Sequence, residues 1–140
     1  MTKQEITLRV PGAPEYALVL RLALGGVAIL KDLDAGALDD LRSASDEAVD
    51  YLLHQGREVE WLTLAVLDGG DQLTVRICAE FTGEGAFTPD EDEQEISRAV
   101  LETLIPQVEM CTQDCGCVEA ISLTLKKAVA MGAKRWMKHA

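Results

Sequence analysis

Two apolar rhythms run along the chain, and the places where one gives way to the other mark its elements. Ile6-Thr7-Leu8-Arg9-Val10 alternates apolar with polar, the period of a strand with one buried face, and Pro11-Gly12 ends it. Pro14 suits the first turn of a helix, where its missing N–H costs nothing. Ala17 to Leu30 is apolar almost all round, which predicts a largely buried helix, with Gly25-Gly26 as a soft spot or a close helix contact. From Asp34 to His54 the period is helical. Leu38, Leu41, Ala44, Ala48 and Leu52 recur at steps of three and four, and Asp39, Asp40, Arg42, Asp46, Glu47 and Asp50 take the other face. Asp34 is suited to cap this helix and Gly56 to close it in the left-handed region.

The second half returns to strands. Val59 to Leu67 is one. Asp68-Gly69-Gly70-Asp71 reads as a hairpin turn, and Leu73, Val75, Ile77, Ala79 and Phe81 then alternate with polar residues in the next strand. Thr82 to Gln94 is rich in Gly, Pro and acids and reads as a loop. Glu95 to Ile105 is predicted as a helix stopped by Pro106. Val108 to Cys111 and Val118 to Leu125 follow as two strands around a short turn. Strands in hairpins with interspersed helices predict an α+β two-layer sandwich, a mostly antiparallel sheet with its helices on one face. Residues 1–125 form one domain in this reading, and 126–140 a basic C-terminal helix or tail.

Composition narrows the function classes. A chain of 140 residues with 48% hydrophobic content has the size and makeup of one globular domain. Net charge is −11, divided into −16 over residues 1–125 and +5 over 126–140. An acidic body repels phosphate backbones, which argues against nucleic acid and for basic protein partners. No run of 18 consecutive apolar residues and no basic-then-apolar leader is present, so no membrane span is expected and the location expected is cytoplasmic.

Particular residues add a family resemblance. Val10-Pro11 is followed by Pro14-Glu15-Tyr16 and Arg21-Leu22. Asp40-Leu41-Arg42 and Asp46-Glu47-Ala48 come next, then Leu101-Glu102-Thr103-Leu104 with Val108. In this order and spacing, residues 5–125 resemble the bacterial anti-sigma-factor serine kinases, of the histidine-kinase-like ATPase superfamily (the Bergerat fold). The resemblance implies that fold and Mg-ATP as the cofactor of active members. It also implies an RNA polymerase sigma factor and an anti-anti-sigma protein as partners, and a homodimer.

The same resemblance supplies three nucleotide-binding boxes, and each departs from the family pattern here. In the first, Glu-x-x-x-Asn, Glu47 matches the general base. Tyr51 falls on the Mg²⁺-holding Asn and Gln55 on the His that follows. Tyr is a poor hard-cation ligand beside a carboxamide. Asp50 and His54 each sit one residue early, about 100° round the helix. In the second, Asp-x-Gly-x-Gly, the matching stretch runs from Ala79 to Gly83. Ala79 replaces the adenine-reading Asp and Phe81 a glycine, while Gly83 and Gly85 lie two positions late. In the third, a glycine turn that cradles phosphate is replaced by Glu95-Ile96-Ser97-Arg98, with Asp90, Glu91, Asp92 and Glu93 before it. Arg98 is the one compensating cation.

The expectation is a degenerate member of the family: a regulator that works by protein–protein binding, a pseudokinase with no cofactor. An active Mg-ATP-dependent serine kinase is the alternative. A zinc- or redox-responsive regulator is a more distant one, resting on Cys111, Cys115 and Cys117 with Cys78 on another strand. The cysteine spacing is not a familiar zinc pair, and buried or turn cysteines are the expected outcome. His54 ends a helix, where positive charge is favourable. No nucleophile-elbow pattern is present.

Overall fold

Alternation sorts every central strand into two faces, and three helices cover the apolar one. The computed structural model describes residues 4–83 and 87–127. The elements in order are β1 (Gln4–Pro11), a single 3₁₀ turn (Pro14–Tyr16), α1 (Ala17–Leu30), α2 (Ala35–Leu53), β2 (Val59–Asp68), β3 (Gln72–Phe81), α3 (Glu91–Leu104), β4 (Gln107–Thr112) and β5 (Val118–Lys126). The strands form one sheet in the order β1-β2-β3-β5-β4, each neighbouring pair antiparallel. The fold is an α+β two-layer sandwich, as the element order predicts. Most of the expected 126–140 tail lies outside the described residues.

Residues directly opposed in an antiparallel pair share a face. Leu64 faces Ile77, and Ile77 faces Ile121. Together with Val66, Val75 and Leu123 they form a fully buried layer under the helices. α2 lies in the middle of the helical layer, with α1 on one side and α3 on the other. Its Leu41, Ala44, Ala48 and Leu52 are entirely buried. Asp34 caps it, the carboxylate accepting the Ala37 N–H at 2.7 Å.

Three expectations are corrected. α1 is not buried all round. Leu20, Leu24, Val27 and Ala28 pack inward, whereas Leu18, Leu22, Ile29 and Leu30 are 58–76% exposed. The physical reason is position: α1 lies over the edge strand β1 and has a helix neighbour, α2, on only one side. Gly25-Gly26 leaves the helix continuous. Gly25 sits under the Arg42 guanidinium of α2, the closer contact expected of it, and Gly26 faces open space. β1 buries less than its alternation predicts, because an edge strand is covered from one side. Val10 is buried, but Ile6 is 40% exposed.

The third correction concerns α3, which begins at Glu91, not at Glu95. The acidic run read as loop is its first turn. Asp90 caps it by accepting the Glu93 N–H at 3.0 Å. Glu91, Asp92 and Glu93 then stand at the positive end of the helix dipole, where carboxylates are favourable. No helix of the described residues is long and apolar enough to cross a membrane.

Asp68 at the β2–β3 turn gathers the ends of α1 and β5. It accepts from Lys127 after β5 at 2.5 Å, from Lys31 after α1 at 3.2 Å and from the Gly70 N–H at 2.9 Å. The Lys127 bond first, then the Gly70 N–H, hold its carboxyl down from 3.8 to about 2. A folded-state value below the unfolded one means stability is present above pH 3.8 and is lost as pH falls from there through about 2. After allowance for solvent screening this is worth about 1–2 kcal/mol. Urea melts between pH 5 and 2 should therefore show a stability loss that Asp68→Asn removes. An unchanged slope in that variant would show that Asp68 is not the group responsible.

Candidate functional site

The C-terminal end of α2, the end of β3, the N-terminus of α3 and the β4–β5 turn meet at one end of the sandwich. Gln55 makes the first tie. Its side-chain amide mimics a strand: Nε2 donates to the Val118 carbonyl at 2.7 Å, and Oε1 accepts the Val118 N–H at 2.8 Å. The same oxygen lies 3.6 Å from Cys117 Sγ. Gln55 thus fixes the start of β5 against the end of α2.

Arg57 makes the second tie. Its guanidinium stacks on the Phe81 ring at 4.6 Å, donates to the Gly83 carbonyl at 3.1 Å and to Gln113 Oε1 at 2.8 Å, and lies 4.0 Å from Cys115 Sγ. Gln113 in turn donates to Glu119 at 3.1 Å. The β4–β5 turn closes with the Gly116 N–H on the Gln113 carbonyl and Gly116 at φ +92. A Cβ there would lie 3.0 Å from Pro89, so the approach to α3 packs directly on this turn.

Tyr51 sits between these parts, half-buried on α2. Burial first, then the nearby Cys117, Glu93 and Asp90, push its hydroxyl above the usual range. Burial likewise pushes the Cys117 thiol up, with Arg57 acting in the opposite sense. Of the other residues singled out in the sequence, Glu47 lies one helical turn before Tyr51 on the same flank, partly buried. Asp50 is exposed, and its Oδ1 lies 3.1 Å from His54 Nδ1, which also meets the Asp50 carbonyl at 2.7 Å. Ala79 is buried in the core face of β3. Gly83 adopts φ +64 and receives Arg57. Gly85 lies outside the described residues. Arg98 falls about 140° round α3 from Glu93, on the flank turned away from Tyr51.

Tyr51 and Gly83 thus share the clustered end with Gln55 and Arg57, while Ala79 and Arg98 point elsewhere. Arg57, Gln113 and Glu119 are not visible as site residues in the sequence. Their partners lie 56 residues away for Arg57–Gln113 and 63 for Gln55–Val118, with no local pattern linking them. Among the described residues, no three His, Cys, Asp or Glu side chains converge as metal ligands. Cys78 and Cys111 both face Ala120 from flanking strands, Cys115 is exposed in the turn and Cys117 is buried.

Gln55→Ala leaves both Val118 backbone groups without their side-chain partners, at a cost of about 1–3 kcal/mol. We expect a lower melting temperature, and faster hydrogen exchange at the Val118 amide than at Ile77 in the sheet centre. Equal acceleration at both amides would mean that Gln55 does not hold this end specifically.

No family model matches the chain. The chain is similar to a protein of Listeria monocytogenes serovar 1/2a named serine-protein kinase RsbW. The two are 34% identical over 95 residues, a stretch that makes up 66% of this chain and 59% of that protein.

Proposed function

We propose that this protein is a regulator of the anti-sigma-factor kinase type that works by occupying protein partners, without phosphoryl transfer. Its partners in this reading are an RNA polymerase sigma factor and an anti-anti-sigma protein, and its setting is the cytoplasm. The family assignment draws on the order of motifs in residues 5–125 and on the likeness to the Listeria kinase. The α+β sandwich is the architecture that assignment requires.

One observation carries the non-catalytic part of the reading. The chain's own side chains fill the end of the sandwich where the nucleotide boxes fall. Tyr51 packs toward Cys117, Glu93 and Asp90, and Arg57 stacks on Phe81 and bonds the Gly83 carbonyl. The residues do not fit Mg-ATP. A half-buried phenol stands where a hard-cation ligand is needed, carboxylates stand where phosphate would lie, and Arg98 is turned away. Glu47 and the likeness to the Listeria serine-protein kinase favour the second reading, an active Mg-ATP-dependent serine kinase.

Mg-ATP at about 1 mM should leave the melting temperature unchanged, since a ligand stabilises only in proportion to its binding of the folded state. Tyr51→Asn alone should not create binding, because the phosphate side stays acidic. An ATP-dependent rise in the unmodified protein, or phosphate transfer to a partner that stops on Glu47→Ala, would put the kinase reading in its place.

The exposed stripe of Leu18, Leu22, Ile29 and Leu30 on α1 supports a homodimer through that face. Sedimentation should give a dimer, and Leu22→Asp a folded monomer. A monomer in the unmodified protein at tens of micromolar would remove this part of the reading.

A further inference from the structure

The two helices that flank the degenerate boxes leave an acidic and aliphatic groove between them. On α3, Glu93, Ile96, Val100 and Thr103 follow one another at steps of three and four and share one flank. Glu93 is the member of that flank that lies near Tyr51, so the flank is turned toward α2. Ile96 is 64% exposed and Val100 39%. On α2 the facing flank runs Asp40, Ser43, Glu47, Tyr51, again at steps of three and four. The two helices run antiparallel, since Asp34, Ala37 and Asp40 near the start of α2 meet Leu104 and Ile105 at the end of α3. At that meeting lies a cleft of about 390 Å³ lined by Asp34, Asp40, Leu125 and Lys126.

Charge along the two helix flanks is acidic, and Lys126 of β5 is the cation that lines the cleft at their end. Neither flank carries a Lys or Arg: Arg42, the basic residue of α2, lies against Gly25 of α1, and Arg98 lies on the far flank of α3. Asp40, Glu47 and Glu93 make no salt bridge among the described residues. The carboxylates of this lining repel a nucleotide's phosphates. Aliphatic anchors between rows of carboxylates match a different ligand, an amphipathic helix or peptide with apolar residues at helical spacing and Lys or Arg beside them. The length also fits: the 14 residues of α3 span about 21 Å, four turns of such a helix.

We propose that the α2–α3 groove is a docking site for a basic amphipathic segment of a partner protein, seated on Ile96 and Val100 and held by Asp40, Glu47 and Glu93. This rests on the non-catalytic reading above, in which the groove does not serve a nucleotide. The test uses the full chain and a 14-residue model helix of Leu and Lys at heptad spacing, with oligolysine of equal charge as the second probe. The Leu/Lys helix should bind, and Ile96→Asp and Glu47→Lys should each weaken it at least tenfold. Asp71→Lys, at the exposed β2–β3 turn, should leave binding within twofold. Oligolysine should bind at least tenfold more weakly than the Leu/Lys helix. Ile96→Ser is a milder variant that should act in the same direction if Ile96→Asp proves unstable. The groove assignment is overturned if the Leu/Lys helix does not bind, if binding ignores Ile96 and Glu47, if Asp71→Lys weakens it as much as Glu47→Lys, or if oligolysine binds as well. Mg-ATP titrated in parallel separates the two readings: a thermal shift with ATP overturns the non-catalytic function whatever the peptide does, and without that shift a failed peptide result overturns the groove alone.

Discussion

The contact on which the structure depends is the small-residue face of α2 against the centre of the sheet. Ala44 and Ala48 are fully buried and let the helix sit close to β3 and β5, while Leu41 and Leu52 anchor its two ends. Burial of this kind is the main favourable term in folding, and a close-packed interface leaves α2 little freedom to shift or rotate. Because its position is fixed, its flanks are fixed too. One presents Arg42 and Asp46 to α1, where Asp46 pairs with Arg21. The other presents Asp40, Glu47 and Tyr51 to α3.

Long-range polar ties at the sandwich's two ends complete what packing begins. At one end Asp68 gathers Lys31 and Lys127, so the ends of α1 and β5 are held at the β2–β3 turn. At the other, Gln55 and Arg57 hold the β4–β5 turn and the end of β3 against α2. Arg57 is suited to this because its planar fork reaches several acceptors while its face stacks on an aromatic ring. Side chains that hold one another at the Tyr51 end leave their polar groups bonded within the chain.

The helical layer presents two unlike surfaces. The α1 side is aliphatic and nearly free of charge along Leu18, Leu22 and Ile29. The α2–α3 side combines two exposed aliphatic residues with carboxylates. An apolar stripe suits self-association, where each copy buries the same patch, whereas an acidic groove repels a second copy of an acidic chain and suits a basic partner.

The order of elements, the antiparallel sheet and the face each strand buries were legible in the sequence. They follow from local periodicity: alternation in β2 and β3, three-and-four spacing in α2, Asp34 as a cap and Pro106 as a stop. Tertiary structure decided the rest. Whether the apolar surface of α1 is covered depends on how many neighbours its place in the layer provides, and an edge place provides one. Whether Glu91 to Glu93 are loop or helix depends on the Asp90 cap, which forms only when the chain turns there. The Gln55 and Arg57 ties depend on β4 and β5 arriving in register more than fifty residues later. A polar side chain carries no mark of which distant carbonyl it will meet, since hydrogen bonds need a partner within about 3 Å and the fold alone sets that distance.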